Sequence, residues 1–179
     1  MKYALALATT LAFLAPASAG GMQGGMNATM PTAMMSNSPD VLWMDATSMS
    51  NHMEIMTSRM AITKTMNADV RAFAQRMIMD HTMSQNELRM MASMKGVKIM
   101  EMPSSGHRLE AQKLSTMSGM AFDRMYMMMQ VMGHRHTVSM FESYLSVGRD
   151  AQTLAAARKY LPVIRMHLME AERLHGMMK

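Results

Sequence analysis

The residues best equipped for chemistry in this chain are methionines and histidines. The 179-residue sequence holds 32 methionines and 7 histidines but no cysteine. Thioether sulfur is a soft ligand that prefers Cu(I), and affinity for Ag(I) follows from the same softness. Imidazole suits zinc, copper and iron. Outside the cytoplasm paired thiols tend to oxidise, whereas methionine is uncharged at any pH and forms no disulfide. It is the practical soft ligand there.

Spacing sorts these residues into stripes. At about 100° per residue, Met49, Met53, Met56 and Met60 fall within about 60° of one another on a helix, with His52 beside them. Met79, Met83, Met90 and Met94 form a second stripe, and Met125, Met129, Met132 and His136 a third. Residues three or four apart share a helix face, so each stripe offers two or three sulfurs to one ion. The competing reading is a core in which methionine replaces leucine, the usual fate of an apolar stripe. Against it, the second and third of these helices each carry another apolar face. One holds Phe73, Met77, His81, Leu88 and Met91; the other holds Phe122, Tyr126, Val138 and Phe141. Two such faces cannot both look into one small core. The expectation is therefore that Met49, Met53, Met56, Met79, Met83 and Met132 are exposed, at a cost of about 1.5–3 kcal/mol of forgone burial each.

Helices must position these groups, and the sequence marks them. Residues 40–65, 68–95, 120–147 and 150–175 read as four long helices, with a short one over 107–117. Gly96, Ser118-Gly119 and Gly148 supply the breaks, and Pro162 should kink the last helix or mark a late start. No segment alternates polar and apolar residues as a strand does. The fold class is all-α, an up-down four-helix bundle with an extra short helix before the third long one.

The N-terminus reads as an export signal. Lys2, an apolar run from Tyr3 to Ala15 and the small residues Ala17-Ser18-Ala19 form a signal peptide over 1–19. Residues 20–39 follow as a flexible tail rich in Met and Gly, ahead of a helical domain over 40–179. The expected location is a bacterial periplasm, with no membrane span. Formal net charge is +5, but the basic residues are scattered and aromatics make up only 5%, so nucleic acid is not an expected partner.

Several stretches resemble a known family: SNHMEI around Glu54, VRAFAQRMIMDHTMSQNEL from Val70 to Leu88, FDRMYMMMQVMGHRHTVSMFE from Phe122 to Glu142, and LPVIRMHL from Leu161 to Leu168. Together they resemble DUF4142, exported bacterial helical bundles with ferritin-like topology and no settled biochemical function. The resemblance implies one acidic position in the first helix and a histidine in each of the others, here Glu54, His81, His134 and His167. One carboxylate and three imidazoles meeting inside the bundle would suit Zn, Cu or Fe; a buried histidine network satisfied by hydrogen bonds is the alternative. The family usually has Asp-His at two of these sites. Asp80-His81 fits that pattern and Gly133-His134 departs from it.

A di-iron site would need Glu-x-x-His on two helices, and the one instance is Glu172 to His175 at the chain end. The sequence has no Gly-rich phosphate loop, Gly-x-Ser-x-Gly elbow or cysteine nucleophile. The expectation is a copper-binding protein, most simply for Cu(I), that sequesters or buffers the metal rather than an enzyme. Its partners would be metal ions and a periplasmic copper exporter or chaperone. A methionine-based oxidant sink and a Met-rich interaction module are the rival classes.

Overall fold

In a computed structural model of the protein, which describes residues 37–178, the regular elements are all α-helices. They are α1 (Pro39–Lys64), α2 (Ala68–Met94), α3 (Ser105–Ser115), α4 (Gly119–Val147) and α5 (Ala151–Gly176). The expected signal peptide and the expected tail up to residue 36 lie outside the described residues. Local chemistry explains the boundaries. Ser38, Asn67, Ser104 and Asp150 each accept a backbone N–H from the first turn of α1, α2, α3 and α5, satisfying donors that a helix start leaves free. Gly96, just after α2, adopts φ +64°, a left-handed conformation that glycine takes without a steric cost. α5 starts at Ala151 and runs through Pro162. The late start is thus excluded. Pro162 is exposed, as is Arg158, whose carbonyl loses its helical donor to the proline.

The four long helices form a ferritin-like bundle in which α1 packs on α2 and α4, and α5 packs on α2 and α4. Side-chain pairs give the directions. Ser58 meets Tyr126 and Asp40 meets Tyr144, so α1 and α4 are antiparallel. Glu87 meets Tyr160 and Asp80 meets His167, so α2 and α5 are antiparallel as well. With two short turns joining the remaining neighbours, α2 and α4 run in the same direction. Residues 95–118 must therefore travel the length of the bundle. They do so along α1: Ser48 Oγ donates to the Met100 carbonyl near one end, and Lys64 Nζ donates to the Ser115 and Met117 carbonyls at the other.

The interior has two apolar clusters. One contains Trp43, Met44, Leu88, Phe141, Tyr144 and Leu161; the other contains Phe73, Met77, Phe122, Tyr126, Met127 and Leu174. Along every long helix a polar layer separates them: Asn51 and Glu54 on α1, His81 and Gln85 on α2, Gln130 and His134 on α4, and His167 on α5, all buried. Buried polar groups weaken a core unless each finds a partner. Their concentration in one layer marks where the fold departs from maximal stability. Among the described residues no helix is long and apolar enough to cross a membrane.

Candidate metal centre

Three helices bring His81, His134 and His167 together in the polar layer. Ring centroids are 5.7 Å apart for His81 and His134, 5.6 Å for His81 and His167, and 5.4 Å for His134 and His167. One nitrogen from each ring lies within 4.8 Å of the other two. A tetrahedral ion with bonds near 2.0–2.1 Å needs such nitrogens roughly 3.3 Å apart, a modest closure of three imidazoles.

Hydrogen bonds to the outer nitrogens determine what the inner ones present. Ser48 Oγ donates to the Met100 carbonyl, and Gln85 Nε2 donates to Ser48 Oγ at 2.8 Å. The Gln85 oxygen therefore faces Asn51 Nδ2, which donates to it at 3.1 Å and to Ser84 Oγ at 3.2 Å. That leaves Asn51 Oδ1 as an acceptor, 2.8 Å from His81 Nδ1. His81 must carry its proton on Nδ1, and its Nε2 is a bare lone pair. His134 Nδ1 faces the Gln130 carbonyl at 2.9 Å, and His167 Nε2 faces Asp80 Oδ2 at 2.9 Å. Both partners are acceptors, so those nitrogens donate. The inner atoms, His81 Nε2, His134 Nε2 and His167 Nδ1, are buried and have no hydrogen-bond partner. Three lone pairs thus converge without a donor among them, and a second ring of acceptors holds them in place, as around a metal-ligating histidine.

Electrostatics keeps the His81 and His167 rings neutral. Burial first, then the neighbouring His134 and His167, holds His81 well below the ordinary histidine value. For His167 burial wins over the Asp80 hydrogen bond, and the value falls from 6.5 to about 4. Beside His81 and His167 is a cavity of about 20 Å³ lined by Ser50, Asn51, Asp80 and Thr137, room for about one water or one further small ligand.

Residues 25–174 match the DUF4142 domain, a domain of unknown function. The chain belongs to the DUF4142 family. No curated protein matches it. This DUF4142 chain is also similar to the crystal structure of a protein titled as a secreted DUF305 protein from Streptomyces coelicolor, with a TM-score of 0.70 at 14% identity. The match covers 80% of this chain and 96% of that one, and at that identity it speaks for the fold alone.

The DUF4142 positions named from sequence divide in this structure. His81, His134 and His167 meet; Glu54 does not join them. Glu54 Oε2 accepts from Gln130 Nε2 at 2.6 Å and its Oε1 lies 3.9 Å from His134 Nδ1, the outer nitrogen. The expected carboxylate ligand is instead a neighbour of a ligand, because Asn51 occupies the place on α1 that touches His81.

The methionine stripes need a larger correction. Met79, Met83, Met90 and Met94 do stand out from α2, between 58% and 63% exposed, and Met132 is 63% exposed. Met53, however, is only 7% exposed, and Met49, Met56, Met60, Met125 and Met129 are half-buried. The crossover and α3 lie over that side of α1, and helical phase has no means of showing a cover that comes from elsewhere in the chain. Nor does His52 complete the α1 stripe. It sits near Arg89 and Glu101, and burial followed by repulsion from Arg89 lowers its pKa. His136 does remain beside Met125, Met129 and Met132, in a groove that Met49 and Met53 line from the opposite wall.

Sequence reasoning passed over Asn51 and Gln130, although an amide at a core position in mid-helix is a visible signal. It also passed over the exposed Met166 and Met169 on α5, which the same phase argument would have found.

Proposed function

We propose that this protein binds copper outside the cytoplasm and holds it, for sequestration or buffering, rather than turning over a substrate. The observation that carries this reading is the set of three buried imidazole lone pairs, each presented by a ring whose other nitrogen is tied to an acceptor. A cation is the natural occupant of such a site. Neutral imidazoles bring no charge of their own, and Asp80 and Glu54 stand behind two of them to balance that of an ion.

Three imidazoles with one open position suit copper or zinc. Copper is favoured by the rest of the chain, which has 32 methionines and no cysteine and presents Met79, Met83, Met90, Met94 and Met132 as soft thioethers at its surface. A neighbouring cavity of about 20 Å³ has no room for an organic substrate, which favours storage. The export signal read in residues 1–19 supports a periplasmic setting.

The test is to titrate the metal-free mature protein with Cu(I), Cu(II) and Zn(II) and to collect X-ray absorption spectra of the loaded forms. One tightly held copper with nitrogen neighbours, weakened by His81→Gln or His167→Gln, is expected. Binding unchanged in both variants, or no copper bound at micromolar protein, would refute the histidine centre. A second reading applies to α2. Its four exposed methionines have no imidazole alongside and would be consumed first by oxidant; sulfoxide confined to that row after mild peroxide treatment would support a protective role there.

A further inference from the structure

The α1 and α4 methionine stripes, separate in sequence, face each other across one groove of about 610 Å³ that α3 borders. We propose that this groove is a second metal site, a thioether site for a soft monovalent cation such as Cu(I) or Ag(I), distinct from the histidine centre. It extends the copper reading but shares none of the three histidine ligands.

Four observations carry it. Sulfurs come from both walls, Met49 and Met53 on α1, and Met125, Met129 and Met132 on α4, more than the two to four that such an ion uses. Methionine has three rotatable bonds and a polarisable sulfur, so side chains from opposite walls can turn onto one ion without moving the backbone. Harder groups stand among them: His136 on α4 and His107 on α3 line the groove, and Glu54 and Glu110 supply negative charge for a cation held by neutral ligands. Finally, Met49, Met125 and Met129 are half-buried and Met53 is buried, unlike the α2 row, and only Met132 at the groove edge is as exposed as that row. A partly desolvated cleft strengthens attraction between an ion and polarisable ligands, whereas the α2 thioethers stand in water.

The groove also adjoins the histidine centre. Ser50 and Thr137 line both the groove and the small cavity beside His81 and His167, and their hydroxyl oxygens are 3.4 Å apart. A single layer of side chains separates the two. Position 133 keeps the groove open beside Glu54, because a Cβ there would come within 3.3 Å of Glu54 Oε1. Here the glycine matters for the space it leaves.

Ag(I) is the probe, since it does not change oxidation state and no cysteine competes. Native mass spectrometry and silver-edge X-ray absorption would compare the parent with three variants. The groove variant carries Met49→Leu, Met125→Leu, Met129→Leu and Met132→Leu; the comparison variant carries Met79→Leu, Met83→Leu, Met90→Leu and Met94→Leu. Met53 is left in place because it is buried. The third variant is His81→Gln.

The groove variant should lose the tightest Ag(I), with affinity down at least about 10-fold, a substantial coupling to remove by losing several ligands. The α2 variant should keep that ion, and the His81→Gln variant should keep it with sulfur neighbours in its spectrum. Equal losses in the groove and α2 variants would overturn the proposal, as would undiminished binding in the groove variant. If His81→Gln abolishes silver binding while the groove variant retains it, the groove fails and the histidine reading stands. If the parent binds neither copper nor silver, both fail. Circular dichroism checks the fold, and Met125→Leu with Met132→Leu repeats the test if the quadruple variant does not fold.

Discussion

Acid should weaken the metal-free protein well above the range in which its carboxylates titrate. In the folded chain His167 is held at about 4, against 6.5 for the exposed ring, mainly by burial. His134 and Arg76 push in the same direction, and Asp80 pulls against them. Because the folded value is the lower one, the unfolded chain binds more protons between the two. The stabilisation is complete above 6.5 and is lost as pH falls toward 4. At about 1.4 kcal/mol per pH unit, His167 alone removes about 2 kcal/mol by about pH 5. His81 is lowered by burial and then by His134 and His167, so it adds to the loss. Asp40 is different. Burial raises its pKa, but the Tyr144 hydroxyl and the Arg149 and Asp150 amides outweigh it and hold the carboxylate below 3.8, so its contribution is lost only below that value. The window from about pH 6.5 to about pH 5 thus isolates the histidines. Urea melts in a chelator at several pH values across that window should show a falling midpoint at constant slope, and His167→Gln should flatten the trend. A midpoint unchanged between about pH 7.5 and about pH 5, or one that rises in acid, would refute the burial of His81 and His167 as neutral rings.

Asp80→Asn keeps the size of the side chain that orients His167 but removes its charge; copper affinity should fall by about 10–100-fold in a competitive chelator titration. Met77→Ala or Met44→Ala, each fully buried, should cost about 2–5 kcal/mol in denaturant melts. Met79→Gln or Met90→Gln should stay within about 0.5 kcal/mol. Asp40→Ala orphans the Arg149 and Asp150 amides at the α4–α5 turn and leaves the Tyr144 hydroxyl only Thr153 as a partner, so it should lower stability by about 2–4 kcal/mol, read as a shift in melting temperature.

Much of the fold was legible in local chemistry. Glycines and capping side chains sit where the helices end, and the aromatic face of α4 packs inward as its phase requires. The inward histidines were legible too, since His81 shares a face with Phe73 and Met77, and His134 lies opposite Met132. What escaped was non-local. Met53 has the same neighbours in sequence as an exposed methionine; it is buried because residues 95–118 return along α1, a route set by the parallel run of α2 and α4. Glu54 reads as a ligand as readily as Asn51 until the register between α1 and α2 is known. The tautomers of the three rings depend on a chain of amides that starts at Met100, and no spacing rule reaches that far.

The three imidazoles that converge in the polar layer belong to α2, α4 and α5, whereas α1 contributes Asn51 and Glu54 only as supports. An ion at the centre would therefore tie together three helices of the four and leave the other bound to the cluster by hydrogen bonds alone. Local opening should then divide along that line. Metal binding should slow amide hydrogen exchange most in the middle turns of α2, α4 and α5, with a smaller protection factor gained around Asn51 and Glu54. α1 is anchored at its two ends, at Asp40 and at Lys64. Between those anchors Asn51, Glu54 and Ser58 hold α1 to α2 and α4 by hydrogen bonds, contacts that could open and re-form without breaking a bond to such an ion.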